Sequence, residues 1–271
     1  MRTYLWSKII EMAYSVKTMK LMYFDYMQNL SEKQFLSKYL SQENLSLISK
    51  DYLSFKENQE KLKFKIISIY DEKYPLRLKI SINPPIAFYY IGESNLLKNY
   101  MVGVVGSRVA PSKYIKMARN LGNGLSKMNI IGVSGLAKGI DASFHQGIDI
   151  SIGVLGCGID RIYPTSNKAL YKKVMNNGCL ISEYPLKTKP LPWHFPRRNR
   201  LIAGLSDILI LVYAKEKSGS IITLDYALDL GRDIFLTSEM YDRLDLAGYK
   251  ISELKKYIKS LWFKNELRLL L

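Results

Sequence analysis

The sequence predicts an α/β protein whose main domain is a mostly parallel β-sheet with helices on both faces. After residue 98, short apolar runs alternate with segments long enough for helices, and most runs end in glycine or polar residues. Apolar residues make up 48% of the 271 positions, which is enough to fill the core of such a domain. Strand, helix and strand repeated at this spacing are typical of parallel sheets with right-handed crossovers. We therefore expect a Rossmann-like, doubly wound domain.

Residues 1–65 are expected to form a small helical domain that precedes the sheet. This segment is rich in Leu, Tyr, Lys and Met and contains neither Gly nor Pro, the residues that most often interrupt helices. Ser31 and Gln34 fit a capping box that opens a helix through Leu40. Residues 66–98 contain short apolar runs separated by turn residues, so we expect an extended lead-in to the sheet there.

Residues 99–240 are expected to form the Rossmann-like domain. Its six strands should be the apolar runs at 101–105, 130–133, 151–155, 179–182, 207–212 and 233–236. Ligands of such sheets bind beyond the carboxyl ends of the strands, near the topological switch point. Residues 241–271 are expected to be a C-terminal helical extension, because a helix from Ser252 would align several apolar residues on one face. These residues are Leu254, Tyr257, Ile258, Leu261 and Trp262.

The net charge favours a polyanionic partner. The chain carries 40 Lys and Arg against 24 Asp and Glu, a formal charge of +16 at pH 7.

Charged residues interrupt the N-terminal apolar stretches, which argues against a signal peptide, and the longest strongly apolar run, 208–214, is too short to span a bilayer. Cys157 and Cys179 have neither zinc-site nor disulfide-framework spacing. A reduced, cytoplasmic protein without a metal or cofactor is expected.

Two glycine-containing motifs predict contacts with phosphate. Gly106-Ser107-Arg108 follows a strand and precedes a helix, so backbone N–H groups and the helix dipole can meet an anion that Arg108 holds. A tight turn with a solvated arginine is the alternative.

In residues 134–141, Lys138 lies within a glycine-rich turn, where its charge can meet an anion. This turn is not a P-loop, because Ala137 and Gly139 stand where glycine and a magnesium-binding Ser or Thr belong, and no dinucleotide fingerprint is complete.

A third basic motif, Arg197-Arg198-Asn199-Arg200, begins a predicted helix. Three guanidinium groups there oppose the positive end of the helix dipole unless an anion compensates their charge. A bound polyanion would compensate it. Alternatively, an arginine pairs internally with a carboxylate such as Glu183, and we expect such a pair for at least one of the three.

The roles of the histidines and of several aromatic residues can be predicted from their neighbours in the sequence. His145 and His194 have no nucleophile or second metal ligand nearby, so structural roles are expected for both. Tyr163, Tyr184 and Trp193 lie among the basic motifs, where aromatic rings can stack on nucleic-acid bases.

Taken together and in order, these motifs resemble the DprA/Smf family of bacterial DNA-processing proteins. The resemblance covers residues 70–236, and the first motif in it is Tyr74-Pro75. The other motifs that carry it are Gly106-Ser107-Arg108, the run from Ser134 to Asp141, His145, the run from Gly153 to Asp160, Tyr163-Pro164, Ser182-Glu183, the run from Phe195 to Ser206, and Ser218-Gly219-Ser220.

The resemblance implies a cytoplasmic, non-catalytic protein that binds incoming single-stranded DNA. It also implies a homodimer that helps to load the RecA recombinase during natural transformation. The basic motifs and the resemblance together predict a set of DNA-binding residues and no catalytic or metal-binding residue. The predicted DNA-binding residues are Ser107, Arg108, Ser134, Gly135, Lys138, Gly139, Arg197, Arg198, Asn199, Arg200, Ser218, Gly219 and Ser220.

Two other functions fit the same anion pocket. A nucleotide-derivative hydrolase of the lysine-decarboxylase-like Rossmann group relies on a Pro-Gly-Gly-x-Gly-Thr loop with a Glu, and residues 218–223 lack that glycine run. A nucleotide-sensing protein of the same group would bind a small ligand without turnover. The charge of +16 favours a longer ligand over a single nucleotide.

Overall fold

The structure is a computed structural model, and it describes residues 64–69, 71–81, 83–85, 87–184, 186–215, 218–246 and 258–261. The helical domain expected for residues 1–65, including the capping box at Ser31, lies outside the described residues except for its last two positions. Within the described part of the chain, no helix is both long and apolar enough to cross a membrane.

A single mixed sheet organises the described residues. Its nine strands follow the order β1-β2-β6-β5-β4-β3-β7-β8-β9, in which β2 is antiparallel to β1 and β6, and all other neighbours are parallel. The strands are β1 (Lys65–Ser68), β2 (Ala87–Gly92), β3 (Met101–Gly106), β4 (Ile131–Ser134), β5 (Ser151–Leu155), β6 (Cys179–Ser182), β7 (Ile208–Tyr213), β8 (Asp233–Thr237) and β9 (Ile258–Leu261). The six predicted strands are confirmed, each within one residue at either end.

Helices connect the strands and cover the sheet. They are α1 (Leu76–Lys79), α2 (Ser112–Lys127), α3 (Ile140–Gly147), α4 (Lys168–Asn177), α5 (His194–Leu205), α6 (Gly219–Asp229) and α7 (Ser238–Leu246), with short 3-10 helices at Ser94–Lys98 and Thr165–Asn167. The helix α2 packs against α3, and α5 packs against α6. Every residue of β5 and β7 is buried, as expected for parallel strands that are covered on both faces. The doubly wound α/β fold is therefore confirmed.

The segment expected as an extended lead-in contributes two strands to the sheet. In β1 and β2, Lys65 lies opposite Tyr90 and Ser68 lies opposite Ala87. The strand β2 then pairs with β6, where Tyr89 lies opposite Ser182. The lead-in thus extends the parallel sheet by an antiparallel edge rather than only joining two domains.

The helix expected from Ser252 is wrong at residues 258–261. These residues form β9, which runs parallel to β8 and places Ile258 opposite Ile234. A few apolar positions in a short segment fit a helical face and a strand equally well, so their spacing does not distinguish a helix from a strand. Pairing with β8 decides it, because the backbone of β8 gains hydrogen-bond partners along an otherwise open edge. The other positions of the expected helix lie outside the described residues.

Lowering the pH should destabilise the protein through His145. The imidazole is buried, its Nδ1 lies 2.9 Å from Ser151 Oγ, and burial lowers the pKa of His145 from 6.5 to about 3. Between these values only the unfolded chain binds the proton, so this contribution to stability is complete above the unfolded pKa and is lost as the pH falls. The free energy of unfolding is measured with denaturant at about pH 7.5 and about pH 5.5 for the wild type and for His145→Asn. The drop between the two pH values should be larger in the wild type, by about 1.4 kcal/mol. The same pH dependence in both proteins would contradict this assignment.

Candidate nucleic-acid interface

A cavity of about 330 Å³ opens at the carboxyl ends of the central strands. The loop after β3 and the first turns of α3, α5 and α6 supply most of its wall, which matches the ligand position expected for a doubly wound sheet. The cavity is lined by Val105, Gly106, Ser107, Arg108, Ala137, Asp141, Pro192, Phe195, Pro196, Arg198, Asn199, Ile202, Ser218, Gly219, Ser220 and Thr223.

Ser107 belongs to the frame of this cavity more than to its open surface. Its backbone N–H donates to the carbonyl of Tyr213 at 2.8 Å, and its Oγ accepts from the N–H of Lys215 at 3.0 Å. The helix α2 begins only at Ser112, with Pro111 as its N-cap. The Ser107 N–H is therefore already bonded within the fold, and α2 begins four residues beyond Arg108. Contact of the Gly-Ser-Arg turn with an anion stays a prediction.

Arg108 is the exposed cation among the residues that line the cavity. Its guanidinium carbon lies 4.8 Å from the centroid of the Phe195 ring, and the second lining cation, Arg198, lies 5.9 Å from the same centroid. Arg108 is exposed whereas Arg198 is only 4% exposed. The aromatic ring therefore positions a solvent-facing charge at the mouth of the cavity.

Arg198 anchors the loops that surround the cavity. Its Nη1 donates to the carbonyl of Gly135 at 2.8 Å and also to the carbonyl of Val154. Asp141 lies in the same buried region, and its carboxylate accepts from the N–H groups of Gly135 at 3.2 Å and Ala137 at 3.4 Å. Burial raises the pKa of Asp141 and lowers that of Arg198, while the attraction between the two charges opposes both shifts.

The glycine-rich turn is closely packed, and only its tip is exposed. The side chain of Ser134 is buried and donates from Oγ to the carbonyl of Val104 at 2.6 Å. Gly139 has a φ of 76°, and a Cβ there would lie 2.4 Å from the carbonyl oxygen of Ser107, so only glycine allows this approach. Lys138 is exposed and follows Ala137, which lines the cavity.

The expected internal ion pair is present at Arg200. Its Nη2 donates to Glu183 Oε1 at 2.6 Å, and both side chains are largely buried, whereas Arg197 Nη2 lies 3.8 Å from the same oxygen and is half-exposed. Arg200 does not line the cavity. Its charge is thus used within the fold. The expectation that Arg197 begins the helix is wrong, because α5 begins three residues earlier, at His194.

The N-terminus of α6 faces the cavity. Ser218 is its N-cap and accepts from the N–H of Ser220 at 3.3 Å, while Asn199 Nδ2 donates to the carbonyl of Gly219 at 2.9 Å. A Cβ added at Gly219 would have no atom within 4 Å, so this glycine borders open space. Nearby, the buried hydroxyl of Thr223 has no hydrogen-bond partner among the described residues. A helix N-terminus beside an open space favours an anionic ligand.

The structure brings about half of the predicted DNA-binding residues to the cavity. The lining ones are Ser107, Arg108, Arg198, Asn199, Ser218, Gly219 and Ser220. The ones outside the lining are Ser134, Gly135, Lys138, Gly139, Arg197 and Arg200. Asp141 and Phe195 line the cavity although neither was among the predicted site residues. Both stand inside the sequence motifs, but no pattern distinguished them from neighbouring structural residues.

Comparison with known proteins identifies the family. The family model described as DNA recombination-mediator protein A matches residues 65–253. The chain belongs to the DprA/Smf family. It is similar to DNA processing protein DprA of Streptococcus pneumoniae, with 41% identity over 182 residues, which cover 66% of this chain and 64% of the relative. With DprA of Bacillus subtilis it shares 38% identity over 208 residues, which cover 74% of this chain and 69% of the relative.

Solved structures of DprA proteins have the same fold. The X-ray structure of DprA from Streptococcus pneumoniae superposes with a TM-score of 0.63 and 34% identity, covering 82% of each chain. DNA processing protein A of Helicobacter pylori, whose single-stranded DNA binding mode has been described structurally, superposes with a TM-score of 0.68 and 25% identity, covering 78% of this chain and 97% of that one. The described sheet and its helices are therefore those of the DprA/Smf family.

Proposed function

We propose that this protein binds single-stranded DNA at the cavity and acts as a recombination mediator without catalysing a reaction. The observation that carries the proposal is the convergence of the α6 N-terminus and the exposed Arg108 on one cavity. A helix N-terminus and a guanidinium group both favour phosphate, and the open space at Gly219 allows the phosphate to reach the backbone. The family's description as recombination mediators and the DNA-binding relative from Helicobacter pylori support it.

The dimensions of the cavity favour a single strand over a duplex. A volume of about 330 Å³ is at the lower end of the range for small-molecule pockets, so it accommodates a nucleotide but not a double helix. A single strand can bend one nucleotide into the cavity while its neighbours stay on the surface. Contacts with phosphate and with aromatic faces do not distinguish one base from another, so little sequence preference is expected.

We further propose that the protein is a cytoplasmic homodimer and that it loads RecA onto the bound strand during natural transformation. Two rigidly joined cavities would hold one strand far more tightly than either cavity alone, through their high effective concentration. Residues after Phe235 are the proposed interface, since α7 and the edge strand β9 follow there. Light scattering at micromolar concentration tests the dimer, and RecA filament assembly on DNA tests the loading.

A binding titration tests the central proposal. Single-stranded DNA, duplex DNA and a mononucleotide are titrated at several salt concentrations. If about 4 to 6 phosphates are neutralised, the logarithm of affinity for the single strand should fall with the logarithm of salt at a slope of roughly −3 to −4. Tightest binding of the single strand with this salt dependence supports the proposal. A flat salt response, or equal affinity for the mononucleotide, contradicts it.

Arg108→Ala and Lys138→Ala should each weaken DNA binding and leave the thermal midpoint nearly unchanged. Both side chains are exposed, and neither forms a salt bridge within the described residues, so their removal costs the fold little. Each lost phosphate contact should lower the salt slope by roughly 0.7. Lys127→Ala at the far end of α2 makes the same charge change away from the cavity and should bind normally. If either test variant unfolds, that residue belongs to the structural frame.

A further inference from the structure

Two exposed aromatic side chains lie beside the cavity but outside its lining. Trp193 is 65% exposed and Tyr163 is 41% exposed. These two residues are termed the aromatic rim. Trp193 follows Pro192, which lines the cavity, and the ring of Tyr163 lies 5.5 Å from the ring of the lining residue Phe195. The rim therefore continues the surface of the cavity.

The backbone of the aromatic rim is held in place although its rings face solvent. The buried hydroxyl of Tyr171 accepts from the Tyr163 N–H at 3.3 Å and donates to the Tyr163 carbonyl at 2.7 Å. Trp193 is the N-cap residue of α5, and its ring is nearly perpendicular to that of His194, with the two ring centroids 5.9 Å apart. His194 in turn stacks on Tyr184 at 4.1 Å. An ordered backbone at these positions lowers the entropy lost when a planar ligand stacks on the rings.

Cationic side chains flank the aromatic rim. Lys187 and Lys189 are exposed, and Arg197 at the start of α5 is half-exposed. The loop that carries the lysines is fixed, because Arg161 Nε donates to the carbonyl of Lys187 at 2.8 Å and the N–H of Gly158 donates to the carbonyl of Thr188 at 3.0 Å. Exposed cations thus lie on the segments that adjoin the aromatic rim, since Arg161 is two residues from Tyr163 and Arg197 is on the same helix as the cavity residue Phe195.

We infer that a single strand continues from the cavity across the aromatic rim, with its bases stacked on Trp193 and Tyr163 and its phosphates beside the flanking cations. This inference rests on the proposed function. An unpaired strand is the occupant that combines a chain of negative charge with exposed planar faces, whereas a duplex hides those faces between its stacked pairs. Continuity of the rim with the cavity gives the strand a defined direction of exit.

Fluorescence of Trp193 tests whether bases reach the rim. The chain has three tryptophans, so a Trp6→Phe/Trp262→Phe variant reports Trp193 alone. It is titrated with an oligothymidylate of about twelve nucleotides and with an abasic strand of the same length. Stacking predicts quenching by the oligothymidylate and weaker binding without quenching by the abasic strand. Equal affinity and equal quenching with both strands would overturn the inference, because phosphates alone would then account for binding.

Substitution of the rim tests its contribution to affinity. Trp193→Ala and Tyr163→Leu should each weaken binding of the twelve-nucleotide strand by about tenfold. Binding of a strand of about three nucleotides, which is short enough to fill mainly the cavity, should change much less. Tyr100→Ala removes another exposed ring and should have no effect. Tyr100 is 46% exposed and precedes β3 at the amino ends of the central strands, whereas the cavity lies at their carboxyl ends.

The outcomes separate failure of the rim from failure of the cavity. Length-dependent loss in both rim variants, with unchanged thermal midpoints, supports the inference. Normal binding of both strands by Trp193→Ala and Tyr163→Leu overturns it, and in that case Arg108→Ala still tests the cavity. A wild-type protein that binds neither strand refutes the proposed function and the rim with it.

Discussion

Replacement of Gly219 by aspartate is expected to weaken binding of single-stranded DNA by about a hundredfold and to leave the protein folded. Gly219 is the first residue of α6 and lines the cavity, and a Cβ there meets no atom within 4 Å. A carboxylate at this position would itself satisfy the helix N-terminus, which stabilises a helix by roughly 0.3–1 kcal/mol. It would also occupy the place of the phosphate and repel it. A repulsion of about 3 kcal/mol corresponds to a loss of affinity of about a hundredfold.

The measurement pairs DNA affinity with the thermal midpoint for Gly219→Asp and two companions. Gly219→Ala adds only a methyl group in open space and should bind DNA with a much smaller loss. Asn123→Asp makes the same change of net charge on an exposed position near the C-terminal end of α2, far from the cavity, and should bind normally. Wild-type affinity in Gly219→Asp would show that the anion does not meet the α6 N-terminus. An equal loss in Asn123→Asp would show that only the net charge matters.

Most of the sheet could be predicted from the sequence because the strands from β3 to β8 are almost wholly buried. Such strands are short apolar runs bounded by polar or glycine residues, and Ser151–Leu155 is found where the run predicts it. The strand Ile258–Leu261 could not be predicted in the same way. Its pairing partner is β8, and the four residues carry no periodicity that favours a strand over a helix without that partner.

The site could be predicted as a set of loops but not as a set of side-chain directions. Arg198 and Arg200 are two positions apart on α5, and successive helical residues rotate by about 100°, so the two side chains point to opposite sides. Arg198 lines the cavity, whereas Arg200 forms the buried pair with Glu183. Which side faces the ligand depends on how α5 packs on the sheet. That packing is a tertiary property that the motif itself does not contain.

Because Arg198 is buried, its replacement by alanine should destabilise the fold, whereas replacement of the exposed Arg108 should not. Arg198→Ala removes donors to the carbonyls of Gly135 and Val154 and removes the positive charge that acts most strongly on the buried Asp141 carboxylate. Breaking a buried charge pair by removing one partner costs about 3–5 kcal/mol of unfolding free energy. Loss of DNA binding in Arg198→Ala would therefore arise mainly from the damaged frame.

Denaturant unfolding of Arg198→Ala, of Arg197→Ala and of Arg198→Ala/Asp141→Asn measures this effect. Arg197 is half-exposed, so Arg197→Ala should change the unfolding free energy by less than about 1 kcal/mol. The double variant should recover part of the stability lost in Arg198→Ala, because asparagine carries no charge to leave unpaired. The loss in Arg198→Ala should also shrink as the pH is lowered, since burial already raises the pKa of Asp141 and protonation removes the isolated charge. Wild-type stability in Arg198→Ala would instead assign Arg198 to the open surface of the cavity, as a ligand contact equivalent to Arg108.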